Sequence, residues 1–100
     1  MANNEASVVE KTNNTIEEPG FYKVIILNDE ITPMEFVIDI LKTIFKHDQE
    51  TATNITMTIH NEGSSVVGVY SYEIAEQKGV ETTLLARNNG FPLQVKIEKE

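Results

Sequence analysis

The sequence predicts an α+β domain: a small three-stranded antiparallel sheet packed against three helices, in the order β-α-α-β-α-β. Three observations carry this. An aliphatic run, Val24-Ile25-Ile26-Leu27, reads as a largely buried strand, and apolar residues at helical spacing follow it from Phe36 to Phe45. Near the end of the sequence Leu93, Val95 and Ile97 alternate with Gln94, Lys96 and Glu98, the period of a half-buried strand. A chain of 100 residues has room for one such domain with a single modest core.

Residues 1–20 are rich in Asn, Glu and Thr, carry scattered apolar residues and end in Pro19-Gly20. Such a stretch buries too little to offset the entropy of ordering it, so it is expected to be a flexible arm preceding a core domain over 21–100. The first strand is expected over Tyr22 to Leu27. Thr32-Pro33-Met34-Glu35 then combines an N-cap Thr, a Pro at the first helical position and a Glu three residues after the cap. The helix it starts carries Phe36, Val37, Ile40, Leu41, Ile44 and Phe45 as an apolar stripe and is expected to run to about Lys46.

Asp48 is placed to cap a second helix through about His60, with Ala52, Ile55 and Ile59 on one face. Thr53 to His60 also alternates polar and apolar residues, several of them β-branched, so by period a strand is about as good a reading. Asn61-Glu62-Gly63-Ser64 is a turn on either reading. Ser65 to Tyr70 reads as a second strand, and Ser71 with Glu73 as the start of a third helix whose face holds Ile74, Ala75, Leu85 and Ala86. Gly79 inside that helix costs on the order of 1 kcal/mol relative to Ala, and Asn88-Asn89-Gly90 supplies αL-tolerant residues to end it.

Sixteen Asp and Glu against eight Lys and Arg give a formal charge of −8, with no basic cluster, so nucleic acid is disfavoured as a partner. The chain has no cysteine, which removes disulfides, thiol catalysis and cysteine-ligated zinc. The longest apolar run is too short to span a bilayer and no secretory signal is visible, which makes the cytoplasm the expected compartment.

The strand-to-helix junction Asn28-Asp29-Glu30-Ile31-Thr32-Pro33-Met34-Glu35 is unusually polar for its surroundings. Taken alone, Asn28 and Asp29 are turn residues that bond nearby backbone N–H groups, and His60 is a helix-end histidine facing solvent. Asp29, Glu30 and His60 are a poor case for an acid–base or metal site, since the chain has no glycine-rich phosphate loop and no second well-placed histidine.

Tyr22 through Val37, YKVIILNDEITPMEFV, closely resembles the signature of the ClpS adaptors, a strand followed by N-D-D/E-x-T-P-M-E-F-V. The match continues in register at Ile59-His60, Gly63, Gly68-Val69-Tyr70, Glu73 to Lys78 and Pro92-Leu93, and covers residues 21–99. The resemblance implies the α+β fold above and assigns 48–60 to a helix. It implies a monomeric, non-enzymatic adaptor without cofactors. Such an adaptor binds proteins whose first residue is Leu, Phe, Tyr or Trp and brings them to the N-terminal domain of a ClpA-type or ClpC-type AAA+ unfoldase, for degradation by ClpP.

In that mapping Asn28, Asp29 and His60 bind the α-amino group, and Ile31, Thr32, Met34, Val37, Thr56, Ile59 and Leu93 surround the first side chain. Glu73 and Lys78, which alone read as exposed charges on a solvated helix face, map to the unfoldase-facing surface. The chemistry is consistent: an α-ammonium offers three N–H donors and a positive charge, and an amide oxygen, a carboxylate and a neutral imidazole nitrogen are acceptors. Thr56 departs from the family, which commonly has Met there; the smaller residue is expected to relax discrimination against N-terminal Ile or Val. The competing expectation is a docking module of the same fold, indifferent to whether a peptide's amino group is free.

Overall fold

Three strands, β1 (Phe21–Leu27), β2 (Ser64–Ser71) and β3 (Gln94–Lys99), form one sheet in the order β2-β1-β3, antiparallel at both junctions. Around them fold α1 (Met34–Thr43), α2 (Gln49–Glu62) and α3 (Tyr72–Asn88), giving the expected order β-α-α-β-α-β. The structure, a computed structural model, describes residues 20–100. The arm expected over 1–20 therefore lies outside the described residues except for Gly20.

The sheet has one buried face. Val24 and Ile26 are fully buried, whereas Lys23, Ile25 and Leu27 between and beside them are half-buried, the alternation of an antiparallel sheet covered on one side. Val24 and Ile26 pack in one cluster with Ile40 and Leu41 of α1, Ala52 and Ile59 of α2, and Ala75 and Ala86 of α3. The register of β1 against β2 shifts between Val24 and Ile25, so that Val67 is the extra residue of a bulge; its side chain is buried and its carbonyl lies 2.7 Å from His47 Nε2. At Gly68 the Tyr70 ring lies against the backbone where a Cβ would clash with it, which is why a glycine precedes that tyrosine by two residues.

The expected Thr32 cap is not formed. Helix α1 begins at Met34 after Pro33, whose carbonyl accepts from the N–H groups of Phe36 (3.1 Å) and Val37 (3.3 Å), with no side-chain cap. The Thr32 hydroxyl donates to Asp29 Oδ2 at 2.8 Å instead, so the carboxylate upstream has taken the group that would have capped the helix. Helix α1 also stops at Thr43, short of Lys46, and Lys46 takes a left-handed φ of 65° that ends the helical path before Asp48.

Helix α2 overrides its own strand-like alternation. The Asp48 carboxylate accepts from Thr51 N–H at 2.8 Å as expected of an N-cap, and Gly63, with φ 96°, closes the C-terminus by donating to the Ile59 carbonyl at 2.9 Å. Ala52, Thr56 and Ile59 form its buried face, and Ile55 packs beside them half-buried. The helix runs on to Glu62, two residues into the stretch expected to be a turn.

Of the face expected for α3, Ala75 and Ala86 are buried as expected and Ile74 and Leu85 are not. Ile74 and Leu85 are 43% and 38% exposed, while Ala75, Gly79, Thr82 and Ala86 are buried. Small side chains let the helix approach the sheet closely, so the short residues and not the long ones turn inward. A Cβ at Gly79 would meet Ile97 Cδ1 at 3.4 Å and Val95 Cγ1 at 3.7 Å, ordinary packing distances. Gly79→Ala is therefore expected to stabilise the protein by about 1 kcal/mol, through helix propensity and a less flexible unfolded chain. A urea titration checks this, and a lower midpoint would show that the helix needs the glycine for contact with β3.

Candidate functional site

The junction after β1 is built by one carboxylate. Asp29 Oδ1 accepts from the N–H groups of Ile31 at 2.8 Å and Thr32 at 2.7 Å, and Oδ2 accepts the Thr32 hydroxyl at 2.8 Å. Burial alone would raise the Asp29 carboxyl, but the Thr32 N–H and hydroxyl, the Ile31 N–H and the charge of Arg87 together hold it below the usual carboxylate value. A carboxylate has about four lone-pair directions, and three are used here, which leaves one on Oδ2. The turn reading of Asp29 and its reading as an ammonium acceptor are thus compatible.

The other side of the junction comes from α2. The Asn28 N–H donates to the Gly63 carbonyl at 2.8 Å, which ties the end of β1 to the residue that caps α2. His60 lies in the last turn of α2, exposed, three residues before Gly63. The carbonyl end of the helix dipole therefore lies at Asn28, where it favours a cation, while the N-terminus of α1 lies just beyond Asp29, where it favours the carboxylate. Among the described residues the side chains of Asn28 and His60 take no hydrogen bond, and both are exposed. The structure thus brings the backbones of Asn28, Asp29 and His60 to one end of the sheet.

The seven residues mapped to the side-chain pocket divide into two groups. Ile31, 67% exposed, and Met34, 37% exposed, stand at the surface beside half-buried Thr32. Val37, Thr56, Ile59 and Leu93 are buried, and Val37, Ile59 and Leu93 belong to the core cluster. The Thr56 hydroxyl is buried and, among the described residues, has no hydrogen-bond partner; the same holds for Thr82 in α3.

Arg87 is a participant that the sequence reading missed. Its Nη1 donates to the carbonyls of Phe91 at 2.9 Å and Leu93 at 2.8 Å, fixing the loop that inserts Leu93, and its charge reaches Asp29. Its two carbonyl partners lie only four and six residues on, but they belong to a loop whose path the sequence pattern does not show, and Asp29 is far away in the chain. Glu73 is exposed as expected, but Lys78 is not a solvated charge. Its Nζ donates to the Ile44 carbonyl past the end of α1 at 2.8 Å and lies 5.9 Å and 5.4 Å from the ring centres of Phe45 and Tyr70. The reading of Lys78 as an ordinary exposed residue fails because the Ile44 carbonyl and the Phe45 ring come from far away in the chain, and Tyr70 from the strand just before α3.

Among the described residues no group of three or more His, Cys, Asp or Glu side chains is placed to hold a metal ion, and no helix is long and apolar enough to cross a membrane.

The family model for the ATP-dependent Clp protease adaptor protein ClpS matches residues 17–96. An ATP-dependent Clp protease adapter protein ClpS from Burkholderia mallei is 43% identical over 95 residues, covering 95% of this chain and 91% of that protein. Its counterpart from Sodalis glossinidius is 43% identical over 90 residues, covering 90% and 85%. Among solved structures, Agrobacterium tumefaciens ClpS2 bound to L-phenylalaninamide superposes with a TM-score of 0.80 at 44% identity, covering 83% of this chain and all of that one. A family match over most of the chain, relatives at this identity across nearly their full length, and a shared fold converge on one assignment: the chain belongs to the ClpS family of ATP-dependent Clp protease adaptor proteins.

Proposed function

We propose that this protein is a non-catalytic adaptor that binds proteins through a free N-terminal α-amino group and a large apolar first residue, Leu, Phe, Tyr or Trp, and delivers them to a ClpA-type or ClpC-type AAA+ unfoldase. The observation that carries the reading is the junction at Asn28 and Asp29. There a carboxylate with one lone-pair direction left, an exposed amide and the carbonyl end of α2 with His60 converge. An ammonium is the ligand this set would suit: it needs acceptors and negative potential from several directions. The 44%-identical ClpS2 structure holds L-phenylalaninamide, a compound with a free α-amino group and an aromatic side chain.

In this reading Asn28, Asp29 and His60 hold the ammonium, and Ile31, Thr32 and Met34 form the rim that meets the first side chain. Buried Val37, Thr56, Ile59 and Leu93 form the floor beneath. The flexible thioether of Met34 suits a site that accepts several large side chains. Glu73 and Lys78 face the unfoldase, and the work is done in the cytoplasm.

Fluorescence anisotropy with two labelled peptides, Leu-first with a free amine and the same peptide N-acetylated, tests the reading. Binding of the free-amine form with at least roughly hundredfold preference is expected, because acetylation removes both the charge and two of the donors. Equal binding of both would instead make this a docking module without N-terminal recognition. An Ile-first peptide, run on the wild type and on Thr56→Met, reports on the floor: the wild type should accept it better than the Met variant does.

A further inference from the structure

The strand order leaves β3 at an edge: among the described residues β1 pairs with one side of it and no strand pairs with the other. The backbone parity of that edge follows from the register. Glu100 N–H donates to the Phe21 carbonyl at 2.9 Å, so the residues of β3 in step with Glu100, namely Glu98, Lys96 and Gln94, direct their backbone groups toward β1. The N–H and C=O groups of Val95, Ile97 and Lys99 therefore point away from the sheet. This is an open template for another strand.

Beside the edge lies a groove of about 280 Å³ between α3 and β3. Val95 and Ile97 line it from the strand, Gly79, Val80, Thr83 and Leu84 from the helix, and Glu76 is the one charged residue of the lining. Val80 and Leu84, one turn apart, are 53% and 59% exposed, a large apolar surface for one helix to leave open. On the opposite face of β3, Lys96 and Glu98 form an exposed ion pair at 3.0 Å.

We infer that this edge and groove are an interface for a second copy of the chain, paired β3 to β3 about a two-fold axis through Ile97. The charges select both the occupant and the register. With Ile97 opposite its own copy, each Lys96 faces Glu98 of the second copy, and Val95, Ile97 and Lys99 all meet outward-pointing partners in the same ladder. Centring one residue earlier sets Lys96 against Lys96, and one residue later sets Glu98 against Glu98. Like charges directly opposite destabilise a ladder, so only the Ile97 register is self-complementary. The same axis brings Val80 and Leu84 of each α3 toward the groove of the other copy, where Gly79 and Thr83 leave room for them. The Asn28 junction bonds to Gly63 on the β2 side of β1, away from this edge, so both amino-group sites stay open in the pair. The net charge of −8 on each copy opposes association, which makes the pair a weak, concentration-dependent one.

Sedimentation equilibrium of the full chain up to roughly 1 mM, at about 0.15 M salt to screen the net charge, tests the pairing. The wild type should shift from monomer to dimer mass across the series. Lys96→Glu should weaken the dimer about tenfold or more, because two attractive cross-strand pairs become repulsive. The double variant Lys96→Glu with Glu98→Lys should restore it, since the swapped charges again face their opposites. Both side chains are exposed at 55% and 46%, so the variants should fold, and circular dichroism checks that they do. A wild type that stays monomeric throughout overturns the proposal. So does a Lys96→Glu variant that pairs as strongly as the wild type, or a double variant that does not recover.

Discussion

Asp29→Ala is expected to lower stability by about 2–3 kcal/mol, since it removes the acceptor of two backbone N–H groups and a hydroxyl at one turn. In the proposed site it should also abolish measurable binding of a Leu-first peptide. The two losses are separated by Asp29→Asn. An amide oxygen can keep the Ile31 and Thr32 N–H groups, and the Thr32 hydroxyl can accept from the amide nitrogen, so stability should fall by no more than about 1 kcal/mol. Affinity for the free amine should nonetheless fall roughly tenfold or more, because a charge-assisted bond to an ammonium becomes a neutral one. An Asp29→Asn protein that binds as tightly as the wild type would remove Asp29 from the ammonium site and leave it as a turn residue.

The same carboxylate sets an acid dependence. Its value in the folded protein lies below the ordinary one, so its stabilisation is complete above about pH 4, the ordinary aspartate value, and is lost as pH falls through the folded value. The stability difference between wild type and Asp29→Asn should therefore shrink as pH drops below about 4. A gap that stays constant to lower pH would mean that the carboxylate's charge contributes nothing to the turn.

Lys78→Met is expected to destabilise the fold by about 1.5–3 kcal/mol, although the sequence pattern makes Lys78 look like surface. Methionine keeps much of the aliphatic stem but cannot donate to the Ile44 carbonyl or place a charge by Phe45 and Tyr70. Denaturant unfolding reads the loss directly, and an unchanged midpoint would show that the ammonium is no better placed there than in water. The result bears on the proposed unfoldase surface. Glu73 is exposed, so Glu73→Ala should leave stability within about 0.5 kcal/mol and report on the unfoldase alone. A Lys78 variant that fails to reach the unfoldase would report on the fold as well.

How much of this was legible beforehand varies by element. Strand β1, the Asp48 cap and the alternation of β3 were readable because their signals are local: an aliphatic run, one carboxylate bonding three residues on, a period of two. The helix over Thr53 to His60 was not readable from period, since β-branched alternation there favours a strand as much; the family resemblance decided it correctly. The Thr32 cap failed because Asp29, three residues upstream, competes for the same hydroxyl. The α3 face was right at Ala75 and Ala86 and failed at Ile74 and Leu85, because the closeness of the sheet admits Gly79 and Thr82 in place of the longer side chains.

Local signals, then, were enough for every element but the second half of α2, for the acidic and cysteine-free chemistry, and for the polar junction that marks the candidate site. Family membership was also legible, since it rests on motifs kept in register along the chain. The uses of Lys78, Arg87 and the small-residue face of α3 required the folded chain. Each depends on groups that only packing brings together: the Ile44 carbonyl and the Phe45 ring at Lys78, Asp29 at Arg87, and β3 beneath Gly79. Hydrogen bonding within a turn and the periodicity of a helix or strand are short-range properties written along the chain. Burial and charge pairing arise only between segments that packing brings together.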